Sequence, residues 1–199
     1  MKIIVGTSQN TETAISKSVR ILKAGGVVCY PTETYYALGI DPWNAEARER
    51  LYRIKGRAAE KELPCIAADL PMIARRCDVS DPRVTALAAK FWPGPLTLVL
   101  PMLDGSGSLA VRISSHPLAR SISAQMQSPV VSTSANLSGE PAMREPAQLL
   151  PSIRSGIDLL IDSGTTPGGK ASTILSLLSH PAEVIREGAI AREDLEAFL

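Results

Sequence analysis

Apolar and polar positions along this chain follow two periods in turn. KIIV at 2–5 is a short β-branched run; apolar positions then recur at Ala14, Ile15, Val19 and Leu22, the spacing of one helix face. Gly25-Gly26 closes that pattern, because glycine adopts the left-handed conformation with which helices commonly end. VVCY at 27–30 predicts a buried strand that stops at Pro31. The chain therefore opens strand–helix–strand, which favours an α/β class. A second helix is predicted over 45–54, with Leu51 and Ile54 on one face and arginines on the other. Residues 63–68 predict a strand and 70–77 and 82–91 predict helices, the latter broken by Trp92-Pro93-Gly94-Pro95. Strands are further predicted at 96–100, 109–113, 129–134, 157–161, 172–177 and 182–186, and helices at 117–126 and 191–198. No repeat or heptad array is present. The expectation is a single domain over residues 1–199, with helices packed on one twisted, mixed sheet.

Composition narrows this picture. At 199 residues, 45% hydrophobic and 21% charged, the chain is ordinary for a globular protein. A chain of this length buries about 70% of its unfolded surface, enough for a full core without staples. Lys and Arg number 21 against 20 Asp and Glu, so there is no whole-molecule basic field to draw in a nucleic acid. The three cysteines, Cys29, Cys65 and Cys77, are odd in number and never form CxxC, which speaks against a disulfide framework or a thiolate zinc site. Cys29 and Cys65 sit in apolar runs and read as small buried hydrophobes. The N-terminus turns polar too soon for a signal peptide, and no apolar run approaches the ~18 residues of a membrane span. A cytoplasmic protein that makes no membrane contact is expected.

Several motifs carry candidate chemistry. Gly164–Lys170 satisfies GxxxxGK, but Ala171 stands where a phosphate loop needs Ser or Thr, and the following STILSL prefers a strand. It reads as a glycine-rich connection. His116 and His180 are the only histidines and no GxSxG is present, so neither a hydrolase triad nor a histidine metal site is indicated. Arg48, Arg50, Arg53, Lys55, Arg57 and Lys61 place six cations in fourteen residues. The first arginines read as a solvated helix face balanced by nearby glutamates. Lys55-Gly56-Arg57 falls where the helix should end, and two cations on a loop can converge on phosphate oxygens. Ser132–Asn136 (STSAN) ends a strand in hydroxyls and an amide, suited to a polar ligand or to an ordinary turn. Pro31-Thr32-Glu33-Thr34 has the same two readings. Arg112, alone inside the apolar LAVRI, must face solvent or pair with an anion.

In this order the segments GGVVCYPTETYYALG (25–39), LYRIKGR (51–57), FWPGPLTLVL (91–100), VRISSHP (111–117), STSANLSG (132–139), IDSG (161–164), AST (171–173) and REG (186–188) resemble the YrdC/YciO family of threonylcarbamoyl-AMP synthases. The resemblance implies a single twisted, open α/β sheet with a basic concave face. It also implies condensation of L-threonine, bicarbonate and ATP to threonylcarbamoyl-AMP and pyrophosphate, usually with Mg2+, for N6-threonylcarbamoyladenosine in tRNA. Lys55 and Arg57 would carry catalysis. Lys55, Arg57, Lys61, Ser134, Asn136 and Arg186 would contact ATP; Thr32, Arg112 and Ser172 would hold threonine, with Arg112 on its carboxylate. No protein metal ligand is implied, while tRNA-modification partner proteins and weak RNA contact are left open. The alternative is a YciO-type paralogue that binds RNA or nucleotide with little synthase activity.

Overall fold

The computed structural model describes residues 2–5, 10–56 and 62–199. In chain order the elements are β1 (Lys2–Val5), α1 (Thr11–Lys23), β2 (Val28–Pro31), β3 (Tyr36–Gly39), α2 (Ala45–Lys55), β4 (Cys65–Ala67), α3 (Leu70–Ala74), α4 (Pro82–Phe91), β5 (Leu96–Pro101), β6 (Ser108–Ile113), α5 (Pro117–Met126), β7 (Val130–Val131), β8 (Thr133–Ser134), α6 (Pro151–Gly156), β9 (Leu159–Asp162), β10 (Thr173–Ser176) and β11 (Glu183–Arg186). The C-terminal segment Arg192–Phe198 is 3-10 rather than α-helical. Helix ends follow local chemistry. The Asn44 side chain accepts from the Ala47 amide at 2.9 Å to start α2, and Gly56 at φ 55° closes it.

The α/β class and the flanking helices stand. The ladders, however, form two sheets, ordered β1-β9-β2-β3-β8 and β11-β10-β5-β6-β4-β7. The reason lies in 129–134, which reads as one strand but divides at Ser132. Val130–Val131 pairs antiparallel with β4, whereas Thr133–Ser134 pairs antiparallel with β3. The Ser132 amide donates instead to the Pro64 carbonyl at 2.7 Å, so one segment steps from sheet to sheet. Strand β3 (YALG) and helix α6 carried no clear periodic signal. β3 forms because the 32–35 turn folds it back on β2, with Val28 opposite Gly39 and Pro31 opposite Tyr36.

Alternation places the core and the site on opposite faces of the same strands. In β5 and β6, Leu96, Leu98, Leu100, Leu109, Val111 and Ile113 enter the larger apolar cluster. Their neighbours Val99, Ala110 and Arg112 line a cavity on the other face. A second cluster joins α1 and α5 to the outer face of the five-stranded sheet through Leu22, Ile122, Val28, Tyr30 and Leu159. Arg112 thus sits in an apolar strand without entering the apolar core.

Candidate active site

The cavity has a volume of about 350 Å3 and is lined by parts of both sheets and their connections. Of the predicted residues it gathers Thr32, Arg112, Ser134, Ser172 and Arg186, which lie as far apart as 154 positions in sequence (186 − 32). Lys55 and Asn136 are outside its lining, and Arg57 and Lys61 lie outside the described residues.

Arg112 is 6% exposed, and its Nη1 donates to Oε1 of Glu33. The other carboxylate oxygen, Oε2, accepts from the Ser114 hydroxyl. Burial, partly offset by Tyr30 and reinforced by a smaller effect of the positive charge of Arg186, draws the Arg112 guanidinium down to about 10, so it remains a cation at neutral pH. The strand-embedded arginine is therefore balanced within the chain, by a residue that the sequence showed only as part of a polar turn. Nothing local joins Glu33 to a partner 79 positions away.

Thr32 organises that turn. Its hydroxyl donates to the Tyr35 carbonyl at 2.7 Å and accepts from the Thr34 and Tyr35 amides at 3.2 and 3.3 Å. The turn is tied to the glycine-rich connection as well: the Gly168 amide donates to the Thr34 carbonyl at 2.7 Å, and the Tyr35 hydroxyl donates to the Gly169 carbonyl. Tyr36 adds a hydroxyl that donates to Gly164 O at 2.7 Å and accepts from the Ser163 amide at 3.0 Å. No helix follows Lys170; β10 begins at Thr173, so the GxxxxGK run is indeed a connection and lacks the helix N-terminus that a phosphate loop requires.

Opposite Thr32, the Ser172 hydroxyl accepts from Thr97 Oγ1 at 3.0 Å and from Arg186 Nη2 at 3.2 Å. Arg186 also donates to the Ser172 carbonyl through Nε at 3.2 Å and Nη2 at 2.7 Å, which pins an exposed guanidinium at the cavity wall. Thr97, 1% exposed, is a second supporting residue whose inward position only the strand alternation could have indicated. At the mouth Glu62 contributes a carboxylate that accepts from Ser108 at 2.9 Å.

Lys55 ends α2 at 2% exposure, and its ammonium donates to the backbone carbonyls of Ser134 and, at 2.9 Å, Asn136. Asn136 Nδ2 donates to the carbonyls of Leu137 at 3.0 Å and Glu140. This lysine thus joins the end of α2 to the 134–136 segment. Of the arginines expected on a solvated face, Arg48 is exposed, Arg53 meets Glu49 at 3.8 Å, and Arg50 grips Asp158 at 2.8 and 3.1 Å. All three cysteines are buried and free. Among the described residues no group of three or more His, Cys, Asp and Glu side chains could hold a metal, and no helix is long and apolar enough to cross a membrane.

The Sua5/yciO/yrdC family, described as Telomere recombination, matches residues 20–188. A protein of Bacillus subtilis (strain 168) named threonylcarbamoyl-AMP synthase is 31% identical over 93% of this chain and 56% of its own length. One of the same name from Xanthomonas axonopodis pv. citri is 34% identical over 90% of this chain and 97% of its own. Among solved structures, Pyrococcus abyssi Sua5 complexed with L-threonine superposes with a TM-score of 0.89 at 28% identity, over 100% of this chain and 60% of that one. E. coli YciO superposes with a TM-score of 0.83 at 25% identity, over 100% and 97%. The chain thus spans 56% and 61% of the length of the first two curated relatives.

Proposed function

The chain belongs to the Sua5/YciO/YrdC family, and from that premise we propose that it is a threonylcarbamoyl-AMP synthase. The reaction condenses L-threonine, bicarbonate and ATP into threonylcarbamoyl-AMP, pyrophosphate and water, supplying the activated group for N6-threonylcarbamoyladenosine in tRNA. The observation that carries this reading is the single cavity in which a buried Arg112, an anchored Arg186 and the hydroxyls of Thr32, Ser134 and Ser172 converge.

The chemistry asks for such a site. A carboxylate of N-carboxythreonine attacks the α-phosphorus while the bond to pyrophosphate breaks, so negative charge gathers on phosphoryl oxygens and on the leaving group. Fixed cations and donors stabilise that charge, and the protein needs no covalent nucleophile. Arg112 takes the α-carboxylate of threonine, and Thr32 and Ser172 hold its polar groups. Ser134, Asn136 and Arg186 take ATP. Lys55 adds positive charge beneath the 134–136 segment, and Arg57 and Lys61 complete the phosphate contacts. The described residues offer no carboxylate cluster for a resident cation. Mg2+ accompanies the triphosphate as part of the substrate. The three buried free thiols support a reducing compartment, the cytoplasm.

The RNA-binding alternative has weaker support, because the α2 cations that motivated it are partly neutralised, Arg50 by Asp158 and Arg53 by Glu49. The test is pyrophosphate release from purified protein with Mg2+. Turnover that needs ATP, bicarbonate and threonine together supports the proposal; none, or turnover indifferent to threonine, rejects it.

A further inference from the structure

The Glu33 carboxylate is fixed at both oxygens, by Arg112 Nη1 and by the Ser114 hydroxyl, and is largely enclosed, with its side chain 13% exposed. Its backbone belongs to the Thr32-centred turn, which is tied in turn to Gly168 and Gly169. Among the described residues only Nη1 of the guanidinium has a partner. Nε and Nη2 have no protein acceptor among the described residues, yet they are not among the fully enclosed unpartnered polar atoms, which are His116 Nδ1, Ser132 Oγ and Asn136 Oδ1. They therefore keep contact with the cavity that Arg112 lines. A planar fork with one prong clamped presents its remaining donors in a set direction, which is what two-point recognition of a carboxylate requires.

We propose that Glu33 is the positioning residue of this site: it holds the Arg112 guanidinium so that Nε and Nη2 face the cavity and receive the ligand's α-carboxylate. This rests on the reading of Arg112 as the carboxylate contact for threonine. The alternative arrangement, with Glu33 occupying the carboxylate's own place and leaving when ligand enters, predicts the opposite response to mutation. Glu33 also balances a buried cation, so its removal has a structural cost that must be separated from the positioning effect.

The experiment measures binding of L-threonine and of L-threoninol, which lacks the carboxylate, by calorimetry below the melting temperature of every variant. Wild type should prefer threonine. Glu33→Ala should weaken threonine at least ~10-fold while leaving threoninol and ATP within about 2-fold, since a misdirected fork affects only the group it should grasp. Glu33→Gln, which keeps an acceptor for Nη1, should recover most of that loss. Unchanged or tighter threonine binding in both variants overturns the proposal, the first marking a bystander and the second a competitor. A lower melting temperature with the threonine-to-threoninol preference intact marks a purely structural role and overturns it equally. Arg112→Ala distinguishes failure of the underlying reading: if wild type binds no threonine, or Arg112→Ala binds it normally, Arg112 is not the carboxylate contact and the proposal falls with that reading.

Discussion

The ammonium of Lys55 donates to the backbone carbonyl of Ser134, joining the last residue of α2 to the strand that walls the cavity. Its second bond, to Asn136 O at 2.9 Å, spans the same segment. These hydrogen bonds fix the 134–136 backbone, and under the proposed function the lysine's charge also adds to the potential at the site.

Lys55→Met should expose both roles at once. Two partly buried carbonyls lose a charged donor, an effect of about 1–3 kcal/mol on stability, and turnover should fall at least ~10-fold from the lost cation. Urea denaturation and steady-state kinetics measure the two separately. Unchanged kinetics in a folded Lys55→Met variant would remove Lys55 from catalysis.

Tyr36 ties the end of the 32–35 turn to the glycine-rich connection. Its hydroxyl bonds Gly164 O and the Ser163 amide, and burial raises its phenol to about 12, so it stays protonated and able to donate. Tyr36→Phe leaves both backbone groups without that partner, and a loss of about 1–3 kcal/mol is expected. Hydrogen exchange should show faster protons at 163–169 with little change in β5 and β6. Uniform exchange across the chain would contradict this local role.

Much of this arrangement was legible in the sequence. Strands β1, β2, β4, β5, β6, β9, β10 and β11 fall where short apolar, mostly β-branched runs placed them, and helices α1, α2, α4 and α5 where apolar periodicity did, each helix burying one regular face. β3 was not legible: it is buried on both faces like β2, but Tyr-Ala-Leu-Gly lacks the β-branched run that marks β2. The break at Ser132 was hidden for a related reason, since a strand that changes sheets keeps its local composition. Within the site, Thr32, Arg112, Ser134, Ser172 and Arg186 are the residues that the family resemblance implies. Glu33, Ser114 and Thr97 were not, because their significance is a matter of which distant side chain they face.

Arg50 and Asp158 form a surface-proximal tie between α2 and the start of β9. Burial pushes the Asp158 carboxyl up, but bonds from Arg50 and the Val27 amide outweigh this and hold it below the ordinary carboxylate range. A depressed carboxylate stabilises the fold above its unfolded pKa and loses that contribution as pH falls through its folded value. Asp158→Asn should therefore lower Tm by up to about 3 °C at pH 7, because a partly exposed pair contributes at most about 1 kcal/mol. The gap between variant and wild type should close below about pH 4. A gap that widens on acidification would refute the assignment.

The cysteines should be inert in the native state. Burial pushes Cys77 up to about 11 and Cys65 up to about 12, and raises Cys29 beyond them. At pH 8 even Cys77 is ionised to only about one part in a thousand, and thiolate is the reactive form. A thiol reagent should label almost nothing in native protein and all three sites after denaturation. Rapid native labelling at any of them would show that its burial is transient.

If the cavity joins threonine, bicarbonate and ATP, the bicarbonate carbon must pass into the product. Protein incubated with 13C-bicarbonate, L-threonine and Mg-ATP should form an adenylate that carries one labelled carbon and one threonine, with one pyrophosphate released per adenylate. Arg112→Ala should abolish its formation at ordinary threonine concentrations. ATP turnover without the labelled adenylate, or an adenylate formed equally well without threonine, would rule this chemistry out.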